Sequence, residues 1–266
     1  MAILIFVIGL IIGSFISSLT WRIPKNISIA KGRSICPKCK KKINWYDNIP
    51  LFSYIILSGK CRNCKKKISV RYPLIELFTG ILFLIIYLGF LNCSGSLFSS
   101  ELCYWKGIIG NFTLPYFLIF ASILFVILVI DFEKQYIPDG FSFLLIFLSF
   151  LLLILSDTND FYLRLFVSFL PSLFLFLLYL ITKGRGMGLG DVKLVLFGGM
   201  ILDWKLVIIW MSLSFIIGAV VGLILIGLKK AKLGSKIPFA PFLIISFIMT
   251  LLWGNILTYI FIPYLL

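Results

Sequence analysis

The sequence predicts an all-α polytopic membrane protein of about eight transmembrane helices, with a small cytoplasmic zinc-ribbon-like domain between the first and second spans. Three observations predict it. Of 266 residues, 61% are hydrophobic and 13% charged, whereas soluble domains are nearer half apolar and a quarter charged. Several apolar runs approach the length of about 20 residues that crosses a bilayer, and Ile108–Ile130 contains no charged residue. Against this background the 21–72 segment is polar and carries two pairs of cysteines.

The first span is Ala2–Leu19. It lacks a basic leading region and an A-x-A-like exit, so it reads as a retained helix. Apolar stretches follow at Pro73–Leu91, Leu114–Ile130, Gly140–Leu155, Phe161–Ile181, Leu194–Leu202, Leu206–Leu228 and Pro241–Ile262. The sixth is half the length of a span. It fits either a short helix buried among its neighbours or a re-entrant segment. The expected organisation is a first span over 1–20, a cytoplasmic four-cysteine domain over 21–72 and a membrane-embedded domain of about seven spans over 73–266. No internal repeat or low-complexity tract stands out.

The net charge of +15 has two readings, an anionic partner or a topological signal. Its distribution favours the second. If eight segments cross, 22 Lys and Arg fall in loops on one side and 3 on the other. Cytoplasmic loops carry such an excess. The basic side is then cytoplasmic, both termini face outward, and a nucleic-acid partner is not required. Lipid is the expected solvent. The absence of histidine excludes imidazole bases and histidine-bound metals.

Cys36-Pro-Lys-Cys39 and Cys61-Arg-Asn-Cys64 are separated by 21 residues. Two C-x2-C knuckles at this spacing read as a four-thiolate zinc site. Neighbouring Lys and Arg favour thiolate over thiol. Four sulfurs leave no open position for water, so the expected role is structural. Cys93 and Cys103 lie 10 apart in an outer loop, where a disulfide or two free thiols are both open.

Ten acids occur in the chain. Asp157, Asp160, Glu101 and Asp203 fall in outer loops, where solvated side chains are expected, and Glu76 is placed to pair with Arg71. Asp131 follows the apolar run Ile123–Ile130, and Asp191 ends a glycine-rich string. Both are expected at the cytoplasmic ends of spans. Ionisable groups at membrane depth are costly and face polar cavities. Two carboxylates in one such cavity share a proton. One can then activate water while the other protonates a carbonyl oxygen. The glycines before Asp191 permit close backbone approach. Alternatively, Asp191 and Asp139 are helix caps. By themselves the carboxylates suit an intramembrane protease and a proton-coupled transporter equally.

The ordered set of motifs is more specific. It comprises Gly13-Ser14-Phe15 with Arg22-Ile23-Pro24; the knuckles with Asn48-Ile49-Pro50, Ser53 and Gly59 between them; and Arg71-Tyr72-Pro73-Leu74-Ile75-Glu76. Asp131, with six residues between it and Pro138-Asp139, comes next. Gly188-Leu189-Gly190-Asp191-Val192-Lys193-Leu194 and Ile237-Pro238-Phe239-Ala240-Pro241-Phe242 complete the series. Over nearly its whole length the chain resembles the type IV prepilin peptidase family, which serves type IV pili, type II secretion and competence systems. Ser17 and Ala240 stand where that family usually has Asn and Gly. The resemblance implies an inner-membrane aspartic endopeptidase with Asp131 and Asp191 as catalytic residues. Gly188, Gly190, Lys193, Pro138 and Asp139 would support them, and Cys36, Cys39, Cys61 and Cys64 would hold zinc. It further implies cleavage after the glycine of a basic leader on prepilins or pseudopilins, then N-methylation of the new terminus from S-adenosylmethionine. No methyl-donor site can be placed from the sequence, nor any oligomeric state.

Overall fold

The computed structural model describes every residue except 26, 29–33, 94–99, 157–159, 185, 231, 233–236 and 262–266. The loop acid Asp157 and several basic loop residues, Arg185 and Lys236 among them, therefore lie outside the described residues. The described chain is helical. It contains α1 (Ala2–Arg22), α2 (Phe52–Ile56), α3 (Arg71–Leu91), α4 (Ser100–Ile109), α5 (Thr113–Lys134), α6 (Asp139–Leu155), α7 (Phe161–Ile181), α8 (Leu189–Leu194), α9 (Leu196–Ile201), α10 (Trp204–Gly227) and α11 (Ala240–Phe261). Two compact units result, Met1–Leu88 and Gly89–Leu266.

Six helical stretches are long and apolar enough to cross a membrane: Ala2–Lys25, Arg71–Leu91, Glu101–Lys134, Phe161–Ile181, Trp204–Gly227 and Ala240–Phe261. α6 is apolar but has only 17 residues, so at 1.5 Å per residue it reaches about 25 Å. The sixth expected span, Leu194–Leu202, holds α9, six residues long, and α8, also six residues, lies just ahead of it and ends at Leu194. A helix of that length covers about 9 Å, a fraction of the hydrocarbon core. α4 was not anticipated as a separate helix.

In the first unit, α1 and α3 cross at small residues. A Cβ on Gly9 would lie 2.8 Å from the Gly80 Cα, and one on Gly13 would lie 2.7 Å from the Glu76 Cα. The pair Gly9 and Gly13 is a G-x-x-x-G spacing, which lets helix backbones meet in an apolar solvent. Arg71 donates to Thr20 Oγ1 at 2.7 Å and to the Ser17 carbonyl at 3.3 Å. Glu76, expected beside Arg71, accepts the Leu51 N–H at 2.9 Å and a hydrogen bond from Ser14.

The second unit closes around α9. Phe197 of α9 meets Phe120 of α5, Trp210 of α10 and Phe247 of α11, with ring centroids 4.8 to 5.7 Å away. Gly198 leaves room for the Trp210 ring, and Gly199 lies against the α7 backbone at Val167 and Ser168. Side chains at those two positions would displace α9 from its neighbours. α10 and α11 are joined by Trp210 Nε1 donating to the Leu243 carbonyl at 2.8 Å, and by a 2.6 Å hydrogen bond between Ser214 and Ser246.

Candidate active site

α5 is an apolar helix that ends in Asp131-Phe-Glu-Lys134, and its chain turns at Gln135 in a left-handed conformation, φ 52°. The Gln135 N–H donates to the Asp131 carbonyl at 2.8 Å, closing the helix one turn after the carboxylate. Pro138 then stands at the N-cap of α6, with Asp139 the first helical residue. Elsewhere in sequence, Gly188 caps α8, and Asp191 in its first turn reaches back so that Oδ2 accepts the Gly188 N–H at 3.3 Å. The glycine-rich string is therefore a helix start with Asp191 as part of the cap. It is also more than that.

Two contacts bring α8 to the connection between α5 and α6. A Cβ on Gly190 would lie 3.1 Å from the Ile137 side chain, and Lys193 Nζ lies 3.1 Å from Asp139 Oδ1. Asp191 is thereby placed within electrostatic range of Asp131. Both carboxylates are buried, at 5% and 7% exposure. Each has one oriented side and one uncommitted oxygen. Asp131 faces the backbone N–H of Ala240 at the start of α11, while its Oδ2 is buried without a hydrogen bond. Asp191 Oδ1 is likewise buried and unpaired. Buried polar atoms are rarely left so. Two of them on neighbouring carboxylates form the arrangement that a shared proton and a water would complete.

The remaining expected site residues divide by role. Gly188 and Gly190 shape the approach of α8. Pro138 sets the entry to α6. Asp139 is exposed and paired with Lys193 at 3.1 Å. Lys193 also lies over the Phe143 ring, 5.9 Å from its centroid.

The four knuckle cysteines converge, with Sγ atoms of Cys36, Cys39, Cys61 and Cys64 within 4.8 Å of one another. A tetrahedral zinc bound at about 2.3 Å places its sulfurs about 3.8 Å apart, so the set fits a four-thiolate ion after a small contraction. The two knuckles are built alike. Lys40 and Lys65 both adopt left-handed φ, 59° and 57°, and isolated antiparallel bridges join Ile35 to Lys42 and Lys60 to Lys67. The likeness has a sequence cause that corrects the expectation of no repeat: Cys-x-x-Cys-Lys-Lys-Lys-Ile occurs at 36–43 and again at 61–68. Burial pushes the Cys36 thiol up, but backbone hydrogen bonds at Cys39 and Lys38 and the neighbouring sulfurs bring it to about 7. At Cys64 a backbone hydrogen bond at Lys66 favours the thiolate, yet burial and the same neighbouring sulfurs raise it to about 11.

Sequence reasoning missed one polar centre. Glu101 is buried and not solvated: Arg164 Nη1 lies 3.3 Å from its Oε2, and the Asp203 N–H donates to its Oε1 at 3.3 Å. The guanidinium also donates to the Ile201 carbonyl at 2.8 Å, as does Trp105 Nε1 at 3.0 Å. Four side chains and backbone groups thus clasp the end of α9. The only signal in the sequence is that Arg164 stands within the first turn of an apolar helix. Asp203 caps α10 through the Lys205 N–H, and Asp160 is exposed as expected. Cys93 and Cys103 form a disulfide.

Comparison with known proteins identifies the family. The profile of the bacterial peptidase A24 N-terminal domain matches residues 7–90, and that of the type IV leader peptidase family matches residues 118–223. The chain is 30% identical to the prepilin leader peptidase/N-methyltransferase of Pseudomonas aeruginosa, covering 94% of this chain and 90% of that protein. It is 31% identical to the protein of the same name from Bacillus subtilis, covering 95% and 94%. The like-named Myxococcus xanthus protein is 50% identical over 82 residues, 31% of this chain and 24% of the relative. No solved structure matches the chain.

Proposed function

Because the chain belongs to the type IV leader peptidase family, and is therefore a protease enzyme, we propose that it removes the leader of type IV prepilins or pseudopilins with Asp131 and Asp191 as its catalytic pair. The observation that carries this reading is the pair of buried carboxylates, supplied by two helices far apart in sequence and each keeping one oxygen uncommitted. In the proposed step, one carboxylate is ionised and takes a proton from water as that water attacks the scissile carbonyl. The other holds the shared proton and delivers it to the carbonyl oxygen. The Ala240 and Gly188 amides orient the carboxylates while they exchange charge. Methylation of the new N-terminus from S-adenosylmethionine is the second proposed activity, supported by the N-methyltransferase names of the relatives.

The proposed setting is the bacterial cytoplasmic membrane, crossed eight times, with 21–72 in the cytoplasm and both termini outside. The 22-to-3 division of Lys and Arg supports this orientation. The Cys93–Cys103 disulfide supports it as well, since its loop falls on the outer side, away from the reducing cytoplasm. In this frame α8 and α9 together carry the chain between the two faces as a buried, broken helix. Cys36, Cys39, Cys61 and Cys64 hold a structural zinc. The basic surface of 21–72 repels a basic leader, so charge attraction to that surface plays no part in substrate capture. The test is direct. Purified enzyme in detergent micelles should release the leader from an added prepilin, and an inert preparation would refute the reading.

A further inference from the structure

Within the 21–72 segment one short stretch exposes several large apolar side chains. Trp45 is 79% exposed, Phe52 65%, Ile55 72% and Ile56 66%, all within 12 residues. Phe52, Ile55 and Ile56 occupy one face of α2, at spacings of three and four. The opposite face is occupied differently, since Tyr54 lies against Gly59, whose Cβ would meet its hydroxyl at 3.0 Å. Single apolar side chains scattered on a soluble surface need no explanation; three on one face of a short helix, with a tryptophan close by in sequence, mark an interaction site.

Three further observations identify the occupant. First, the stretch is tied to the first turns of a helix long and apolar enough to cross a membrane. The Leu51 N–H donates to Glu76 Oε2 at 2.9 Å, and Glu76 lies five residues inside α3, about 7 Å along its axis from Arg71. Leu51 adopts φ 58° to make this contact, a conformation a leucine holds only where surrounding structure imposes it. Second, the 21–72 segment enters and leaves the membrane through α1 and α3, so it cannot move far from the lipid surface. Third, its charge is one-sided, with 14 Lys and Arg against one acid. Apolar side chains that include a tryptophan, carried by a segment this rich in cations, suit the boundary of headgroups and acyl chains in an anionic leaflet.

We infer that Trp45–Ile56 is an interfacial anchor, with Trp45, Phe52, Ile55 and Ile56 inserted at the headgroup level of an anionic lipid surface. The anchor holds the four-cysteine module against the bilayer. It is independent of the proposed peptidase chemistry.

The test places the photo-reactive residue p-benzoylphenylalanine singly at Phe52, at Ile55 and, as a reference on α3, at Phe78. The full-length protein is reconstituted in vesicles of phosphatidylethanolamine and phosphatidylglycerol, and thermal melting verifies each variant's fold. Illumination should give lipid adducts at all three positions, read by mass spectrometry. In vesicles of phosphatidylcholine alone, the yield at Ile55 should fall severalfold while that at Phe78 stays constant. Adducts at Phe78 with none at Phe52 and Ile55 overturn the inference. Adducts at those two positions only to protein do the same, and an Ile55 yield indifferent to lipid charge overturns the anionic assignment.

Discussion

Arg164 and Glu101, on α7 and α4, form an ion pair at 3.3 Å with both side chains buried. The same guanidinium nitrogen donates to the Ile201 carbonyl at 2.8 Å, so the pair ties α4 and α7 to the end of α9. Removing one partner of such a pair strands a charge, which costs about 3–5 kcal/mol, whereas an apolar replacement of both is often close to neutral. Arg164→Met should therefore lower the melting temperature in detergent strongly, and adding Glu101→Leu should recover much of the loss. Equal melting of the single variant and the parent would show that the pair contributes nothing.

The carboxylate pair should behave as one unit. Asp131→Asn and Asp191→Asn should each abolish prepilin cleavage in membranes, and the double variant should be no worse, because either change removes the shared proton. Both should melt like the parent, since a neutral amide is easier to bury than a charge. Near-parental cleavage by either single variant would reject the assignment.

Asp139→Asn should keep substantial activity. Its exposed pairing with Lys193 at 3.1 Å belongs to a class worth about 0–1 kcal/mol. A complete loss of cleavage would move Asp139 into the catalytic set.

Metal analysis of the purified protein should give one zinc per chain. The Cys→Ser change at positions 36, 39, 61 and 64 together should eliminate it and make the 34–68 region sensitive to protease, because structural-zinc binding energy is largely folding energy. Unchanged zinc in that variant would refute the site.

Gly199→Val should damage both fold and activity. Its side chain would enter the α7 backbone at Ser168, and forcing extra atoms into a packed interface costs about 1–3 kcal/mol. Displacing α9 would also shift Asp191, 8 residues earlier in the chain. A variant that melted and cleaved like the parent would show that α9 has slack.

Some of this was readable from the residues alone. A chain this apolar is solved by helices because lipid cannot satisfy exposed backbone, and the long apolar runs locate α1, α3, α5, α7, α10 and α11. The cysteine knuckles are legible because C-x2-C spacing is a local property of one turn. Asp131 was legible as a charge at the end of an apolar run, and Asp191 as the acid that ends a glycine-rich string. Tertiary structure alone decided what acts across distance. It shortened the sixth segment to the six-residue α9 and buried that helix between others, which only the absence of side chains at Gly198 and Gly199 permits. It turned Glu101 from an expected surface acid into the partner of Arg164, 63 residues away. It brought Asp191 to Asp131 through Gly190 on Ile137. Hydropathy is a sum over neighbours in sequence and so fixes which segments meet lipid. Which buried charges meet each other depends on helix packing, and packing is settled by shape between segments that the sequence does not place side by side.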